Sequence, residues 1–371
     1  MNKKLVNEIF WLRSISCLAV VTIHSIQAGI GYYFTGENNI MVYFLHLFYA
    51  AALFGTPAFV FISEFLLAKS YPTTVPDGFI KKRIKFLMLP FIFMGIVYAF
   101  FEANNFSFKI LTSEILKNIF FGDYVAWFIL LILQFYLLHM LISKLLKKAS
   151  PKIVLPITFI INVLYLSFFQ FVNPIDIIPF NKYIWYRGYW IPFLGWIFYF
   201  TLGYYIGNNY KEYKHFLNKN KKLVLIMPAI VYCLLVGLKL SQILPESTSK
   251  RPDIPLYTLT IICFIFYVTP KIKTVPKLVM LISNYSFNIY LLHMIFIYII
   301  KPLPSMNMIT YTISLIFLSI TCSILLANVI NRWKFGKYLI GNTLSINIKK
   351  KLKDNLHNNK GKEILRKDLN H

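Results

Sequence analysis

Arg13 and His24 interrupt an otherwise apolar run, LRSISCLAVVTIHS. They sit eleven positions apart, close to three full helical turns and roughly 16 Å along the axis, so both face the same way. Ionisable groups inside membrane helices are functional candidates by default. A guanidinium can hold phosphate or carboxylate through paired donors. An imidazole can take a proton near neutral pH. Two plainer roles suit the same residues: Arg13 can snorkel to the nearer interface, and His24 can hydrogen-bond a neighbouring helix.

A second polar stripe lies in ISNYSFNIYLLHM, where Ser283, Ser286, Tyr290 and His293 fall at i, i+3, i+7 and i+10. Counted from the inner ends of their helices, His24 and His293 reach similar depths in the outer half and can share a cavity. A polar packing seam between helices is the alternative. Glu64, in FVFISEFLLAKS, comes out at the depth of Arg13, and a pair between them would lower the penalty of both charges. In DYVAWFILLILQFYLLH, Asp123 and Trp127 fall near the outer boundary and Gln134 deeper. Trp127 also suits an interfacial aromatic belt.

The elements that must position these residues are membrane helices. Of 371 residues, 57% are hydrophobic and 14% charged, far too apolar for a soluble domain of this size. The composition predicts an all-α, polytopic membrane helix bundle embedded in the lipid bilayer. A span needs about 20 mostly apolar residues. Ten candidates follow: 8–30, 41–68, 86–101, 123–143, 153–172, 189–208, 222–240, 254–270, 277–300 and 307–331. The net charge of +25 comes from short basic clusters between apolar runs, which marks membrane topology and excludes a nucleic-acid partner. With the N-terminus inside, 30 of the 39 Lys and Arg fall in inner segments and 8 in outer ones, so a multi-pass cell-membrane protein with both termini cytoplasmic is expected. Cys17, Cys233, Cys263 and Cys322 lie singly in apolar segments, which suggests neither disulfides nor a metal site. Glu8 and Arg13 break the first apolar stretch, so it reads as an uncleaved helix rather than a signal peptide. The bundle is expected over 1–340 and a basic, disordered cytoplasmic tail over 341–371, with contact to anionic head groups as a further role for the tail.

Six stretches in order resemble the acyltransferase-3 family of integral membrane acyltransferases: the Arg13–His24 pair, FVFISEFLLAKS, KKRIKFLMLP, WFILLILQFYLL, FTLGYYIG and SFNIYLLH. Within it the chain is similar to the polysaccharide-modifying members of intercellular-adhesin clusters. The resemblance covers roughly residues 5–340. It departs in two places. Arg83 is followed three positions later by Phe86 where the family often repeats Arg, so Lys82 or Lys85 would substitute. Glu64 stands where Gly is common.

The resemblance implies transfer of an acyl group, acetyl or succinyl, onto a hydroxyl of an extracytoplasmic carbohydrate. The donor would be cytoplasmic acyl-CoA, a co-substrate rather than a bound cofactor. It implies His24 and His293 as catalytic residues and Arg13, Lys82, Arg83 and Lys85 as donor-binding ones. Glu64, Trp127, Ser286 and Tyr290 would support them. The rival expectation is an exporter or flippase of a polysaccharide or lipid-linked sugar.

Overall fold

The computed structural model describes residues 7–33, 40–103, 107–174 and 180–343, and the expected tail lies almost wholly outside them. Among the described residues every regular element is helical. In chain order these are α1 (Asn7–Tyr33), α2 (Ile40–Ala52), α3 (Gly55–Ser70), α4 (Phe79–Arg83), α5 (Leu89–Glu102), α6 (Phe108–Phe121), α7 (Phe128–Lys148) and α8 (Pro151–Phe171). Then follow α9 (Asn181–Trp190), α10 (Ile197–Asn208), α11 (Tyr210–Lys219), α12 (Lys221–Leu240), α13 (Ile254–Val268), α14 (Lys277–Ile299), α15 (Met308–Ile330) and α16 (Gly336–Leu339).

Nine stretches among the described residues are long and apolar enough to cross a membrane. The tenth candidate, 189–208, is not one long helix. Pro192 lacks a backbone N–H and disfavours helical geometry in the residue before it. The chain breaks there, makes a 3₁₀ turn over Phe193–Trp196 and continues as the twelve-residue α10. The segment nevertheless runs back along α8. Thr158 of α8 meets Thr201 of α10 at 2.7 Å, the Asn162 amide donates to Gly195 O at 2.8 Å, and the Tyr205 hydroxyl donates to Ala149 O at 3.2 Å. These contacts run α10 antiparallel to α8, back to the end where α8 begins.

Every residue of α10 from Ile197 to Gly207 is buried, so the helix is wrapped by protein. It lies parallel to α3 at backbone contact. A Cβ on Gly203 would come 2.7 Å from Phe61 O, and one on Gly207 would come 2.7 Å from Phe65 O. Small residues one turn apart allow this approach.

The third span begins earlier than the sequence suggests. KKRIK lies inside it, because α4 runs through a π turn at Ile84–Met88 into α5, which carries Pro90 in its first turn. At the far end of α5, α6 turns back into the bundle and stops at Gly122, whose φ of 61° suits a residue without a Cβ. That stop brings Asp123 to Trp127 to the depth of the histidines.

Both described chain ends lie at one end of the bundle. Glu8 of α1 pairs with Lys214 of α11 at 3.0 Å, and the ring of Tyr338 in α16 stacks on Phe86 at 5.6 Å between centroids. The loop after α3 joins these two regions.

Candidate active site

α1 is the central element, packed between α3, α14 and α15. His24 on α1 and His293 on α14 meet with ring centroids 5.3 Å apart. His24 faces a cavity of about 450 Å³ whose walls include Gln27, Tyr49, Asp123, Trp127, Tyr186, Arg187, Trp190 and Lys250. Residues 247–250 belong to the loop joining α12 to α13, so the cavity reaches the end of the bundle opposite Glu8 and Tyr338.

A hydrogen-bond relay fixes the proton on His24. The Tyr49 hydroxyl donates its only proton to Ser247 O at 3.0 Å, because a carbonyl can only accept. Tyr49 must then accept from the Gln27 amide N–H at 2.9 Å. Gln27 therefore turns its amide oxygen to His24 Nδ1 at 3.1 Å, and Nδ1 carries the proton. The lone pair is left on Nε2. His293 reaches the same state by another route. Its Nδ1 lies 2.9 Å from Ile289 O and 3.0 Å from Tyr290 O, both acceptors only. Its Nε2 is buried with no partner among the described residues. Two imidazoles with bare Nε2 atoms thus stand side by side, but they do not share the cavity: His24 lines it, whereas His293 is fully buried behind and does not.

The expected supporting residues divide. Trp127 lines the cavity, its ring tilted against Trp190 at 5.5 Å and Trp196 at 5.6 Å between centroids. Tyr290 donates to Val125 O at 2.7 Å and so holds the turn that carries Trp127. Ser286 does not reach the cavity; its hydroxyl is turned to Ser283 O at 3.0 Å within its own helix. Gln134 also plays a structural part, donating to Ile191 O at 2.9 Å and accepting from Phe193 N at 3.1 Å across the Pro192 break.

The expected pair of Arg13 and Glu64 is absent. Glu64 Oε1 instead meets His139 Nδ1 at 2.6 Å, with both side chains fully enclosed. The reason is packing: α3 presents Glu64 to α7 and α10, not to α1, and a Cβ on Gly203 would lie 3.1 Å from Glu64 Cβ. His139 Nε2 lies 2.9 Å from Tyr71 O, so no polar atom of its ring is left over.

Among the described residues Arg13 makes no hydrogen bond or ion pair, and Tyr136 lies within its electrostatic reach. The Arg83 guanidinium lies 4.9 Å from the centroids of both Phe79 and Tyr136. Arg13 and Arg83 thus flank one tyrosine with no carboxylate between them. Lys85 rests over the ring of Tyr338 at 4.9 Å, and Lys82 is exposed.

Gln27, Tyr49, Arg187, Trp190 and Lys250 are site residues that the sequence reading passed over. Gln27 carried a usable signal, one turn beyond His24 on its face. Arg187 and Lys250 read only as outer-loop charges, and their convergence is set by the tertiary fold. Arg187 forms an ion pair with Asp123, and burial pushes its guanidinium down to about 10. Burial also drives the Lys250 amine well below its usual value; Glu246 opposes the shift and Arg187 adds to it.

A family model described as an acyltransferase domain matches residues 6–328. The chain is 37% identical over 350 residues to YfiQ of Bacillus subtilis (strain 168), named as a candidate membrane-bound acyltransferase; the match covers 91% of this chain and 94% of that one. It is 27% identical over 295 residues to a probable poly-beta-1,6-N-acetyl-D-glucosamine export protein of Staphylococcus aureus (strain MRSA252), covering 78% and 82%. A Staphylococcus epidermidis protein of the same name is 28% identical over 307 residues, covering 77% and 79%. No solved structure matches the chain. With nearly the whole bundle matched, and with the Arg13, His24 and His293 stretches inside the match, this multi-pass membrane protein belongs to the acyltransferase-3 family.

Proposed function

We propose that the protein transfers an acyl group from cytoplasmic acyl-CoA to a hydroxyl of an extracytoplasmic carbohydrate, with His24 as general base. The observation that carries this reading is the relay from Ser247 to His24, which leaves Nε2 bare on a histidine that lines a cavity of about 450 Å³. As the acceptor oxygen attacks the thioester carbonyl, His24 Nε2 takes its proton. The C–S bond then breaks, and the imidazolium returns the proton to the leaving sulfur. His293 adjoins this centre with its second bare nitrogen.

The donor's phosphates would lie at the other end of the bundle, near Arg13, Lys82, Arg83 and Lys85. The thiol arm would bridge the roughly 16 Å to His24. The excess of Lys and Arg at that end supports a cytoplasmic assignment for it and for both termini.

The direct test is purified protein in nanodiscs with labelled acetyl-CoA and β-1,6-linked N-acetylglucosamine oligosaccharides, read by mass spectrometry. Label appearing on the sugar with wild type and not with His24→Ala supports the reading. The names of the staphylococcal relatives favour a second reading, export. Cells in which His24→Ala abolishes acylation but leaves polymer at the surface would separate transfer from export; loss of surface polymer with acylation intact would favour export.

A further inference from the structure

Lys250 is a charged group at the cavity that the transfer chemistry above leaves unused. Its side chain lines the cavity yet the residue is only 4% exposed. Among the described residues its Nζ has no hydrogen-bond or ion-pair partner. It faces aromatic rings instead, 2.9 Å from the Trp190 centroid, 5.5 Å from Trp127 and 5.9 Å from Tyr189. Ring faces offset part of the penalty for an enclosed ammonium, but a full charge in such a place calls for an anion.

The loop is built to keep the amine there. The Tyr189 hydroxyl donates to Lys250 O at 2.8 Å. The next residue, Arg251, is fully buried; it binds Asp253 through two nitrogens, at 3.0 and 2.5 Å, and donates to Leu235 O at 2.9 Å. Ser247, three residues upstream, ends the relay that orients His24. Lys250 is therefore held in register with the reaction centre. The other charges nearby do not supply the anion. Asp123 is engaged by Arg187, Glu102 accepts from the Asn118 amide at 3.1 Å, and Glu246 makes no ion pair with Lys250.

We propose that Lys250 is the anion-recognising residue of the cavity, and that one reactant brings a carboxylate or phosphate to its Nζ. This rests on the cavity being the acyl-transfer site. Two reactants could carry the group. An acceptor sugar could bear a uronic carboxylate or a phosphate, its ring lying against Trp127 and Trp190. Alternatively, the acyl chain could be that of a dicarboxylic acid. In either case the anion meets the enclosed ammonium, and the pair is neutral overall.

The test is a tryptophan-fluorescence titration of the protein in phosphatidylcholine nanodiscs at constant ionic strength. The probes are glucose, glucuronate, glucose 6-phosphate and monomethyl succinate. At least one anionic probe should saturate about tenfold more tightly than glucose, as expected for a charge-assisted contact of about 1.4 kcal/mol. That binding should be lost in Lys250→Gln and kept in Lys250→Arg. Tight binding of glucuronate or glucose 6-phosphate identifies the acceptor as the anionic reactant; tight binding of monomethyl succinate alone identifies the acyl chain. Equal binding of glucose and every anion overturns the proposal, as does unchanged anion binding in Lys250→Gln. If Lys250→Gln does not fold, the wild-type comparison of glucose with the anions still decides. The titration uses no donor and no turnover, so its outcome is independent of whether acyl transfer is observed.

Discussion

His24 and His139 are both histidines in apolar helices, at opposite ends of one bundle. His139 is sealed between Glu64 at 2.6 Å and Tyr71 O at 2.9 Å, with neighbouring contacts from Ser143 to Thr73 O and from Tyr204 to Pro72 O. Every polar atom of its ring is used, and together these bonds fasten the loop after α3. His24 uses one nitrogen to set its tautomer and leaves the other bare beside a cavity. A buried polar ring with both nitrogens satisfied rigidifies its surroundings. One held by a single nitrogen keeps a lone pair available for chemistry.

His24→Ala should lower transfer by about 10²–10⁴-fold, the usual contribution of a general base, at unchanged membrane abundance. A comparable loss of folded protein would make His24 structural, like His139. At the other end, His139→Ala should strand Glu64 and destabilise the fold by about 3–5 kcal/mol. That is read as a lower melting temperature in detergent, with Glu64→Leu/His139→Leu recovering most of it. An undiminished melting temperature in His139→Ala would remove the distinction.

Arg13→Ala should raise KM for acyl-CoA about tenfold with little change in kcat, since a charge-assisted bond contributes about 1.5–3 kcal/mol. A fall in kcat alone would move Arg13 out of the donor site. Tyr49→Phe removes the proton that ends the relay and releases the tautomer of His24. It should lower kcat about five- to tenfold, the equivalent of one hydrogen bond of about 1 kcal/mol, with abundance unchanged. Full activity in Tyr49→Phe would show that the relay does not orient His24.

The sequence exposes these residues unevenly. Arg13, His24 and His293 are legible because ionisable groups stand out in an apolar run and helical spacing fixes their faces and depths. His139 carries the same mark, but only the packing of α3 on α7 shows that Glu64 is its partner. Depth alone puts Arg13 and Glu64 level; it does not say which side of α3 Glu64 occupies. The 189–208 span is legible as apolar and not as short, because hydropathy does not register that Pro192 divides it. Lys250 belongs to a short polar loop, and only its tertiary burial separates it from an ordinary surface lysine.

The protein-wrapped α10 also bears on how the molecule meets its bilayer. Lipid-length mismatch acts through the residues that touch acyl chains. α8 and α12 expose many such residues and each has an internal proline, Pro156 and Pro228, whereas α10 is buried from Ile197 to Gly207. A thicker or thinner membrane should therefore tilt the outer helices while α10, locked to the backbone of α3 through Gly203 and Gly207, keeps its length and pitch. Since α3 packs directly on α1, transfer should depend little on lipid chain length in nanodiscs, and a steep dependence would show that the outer helices set the position of His24.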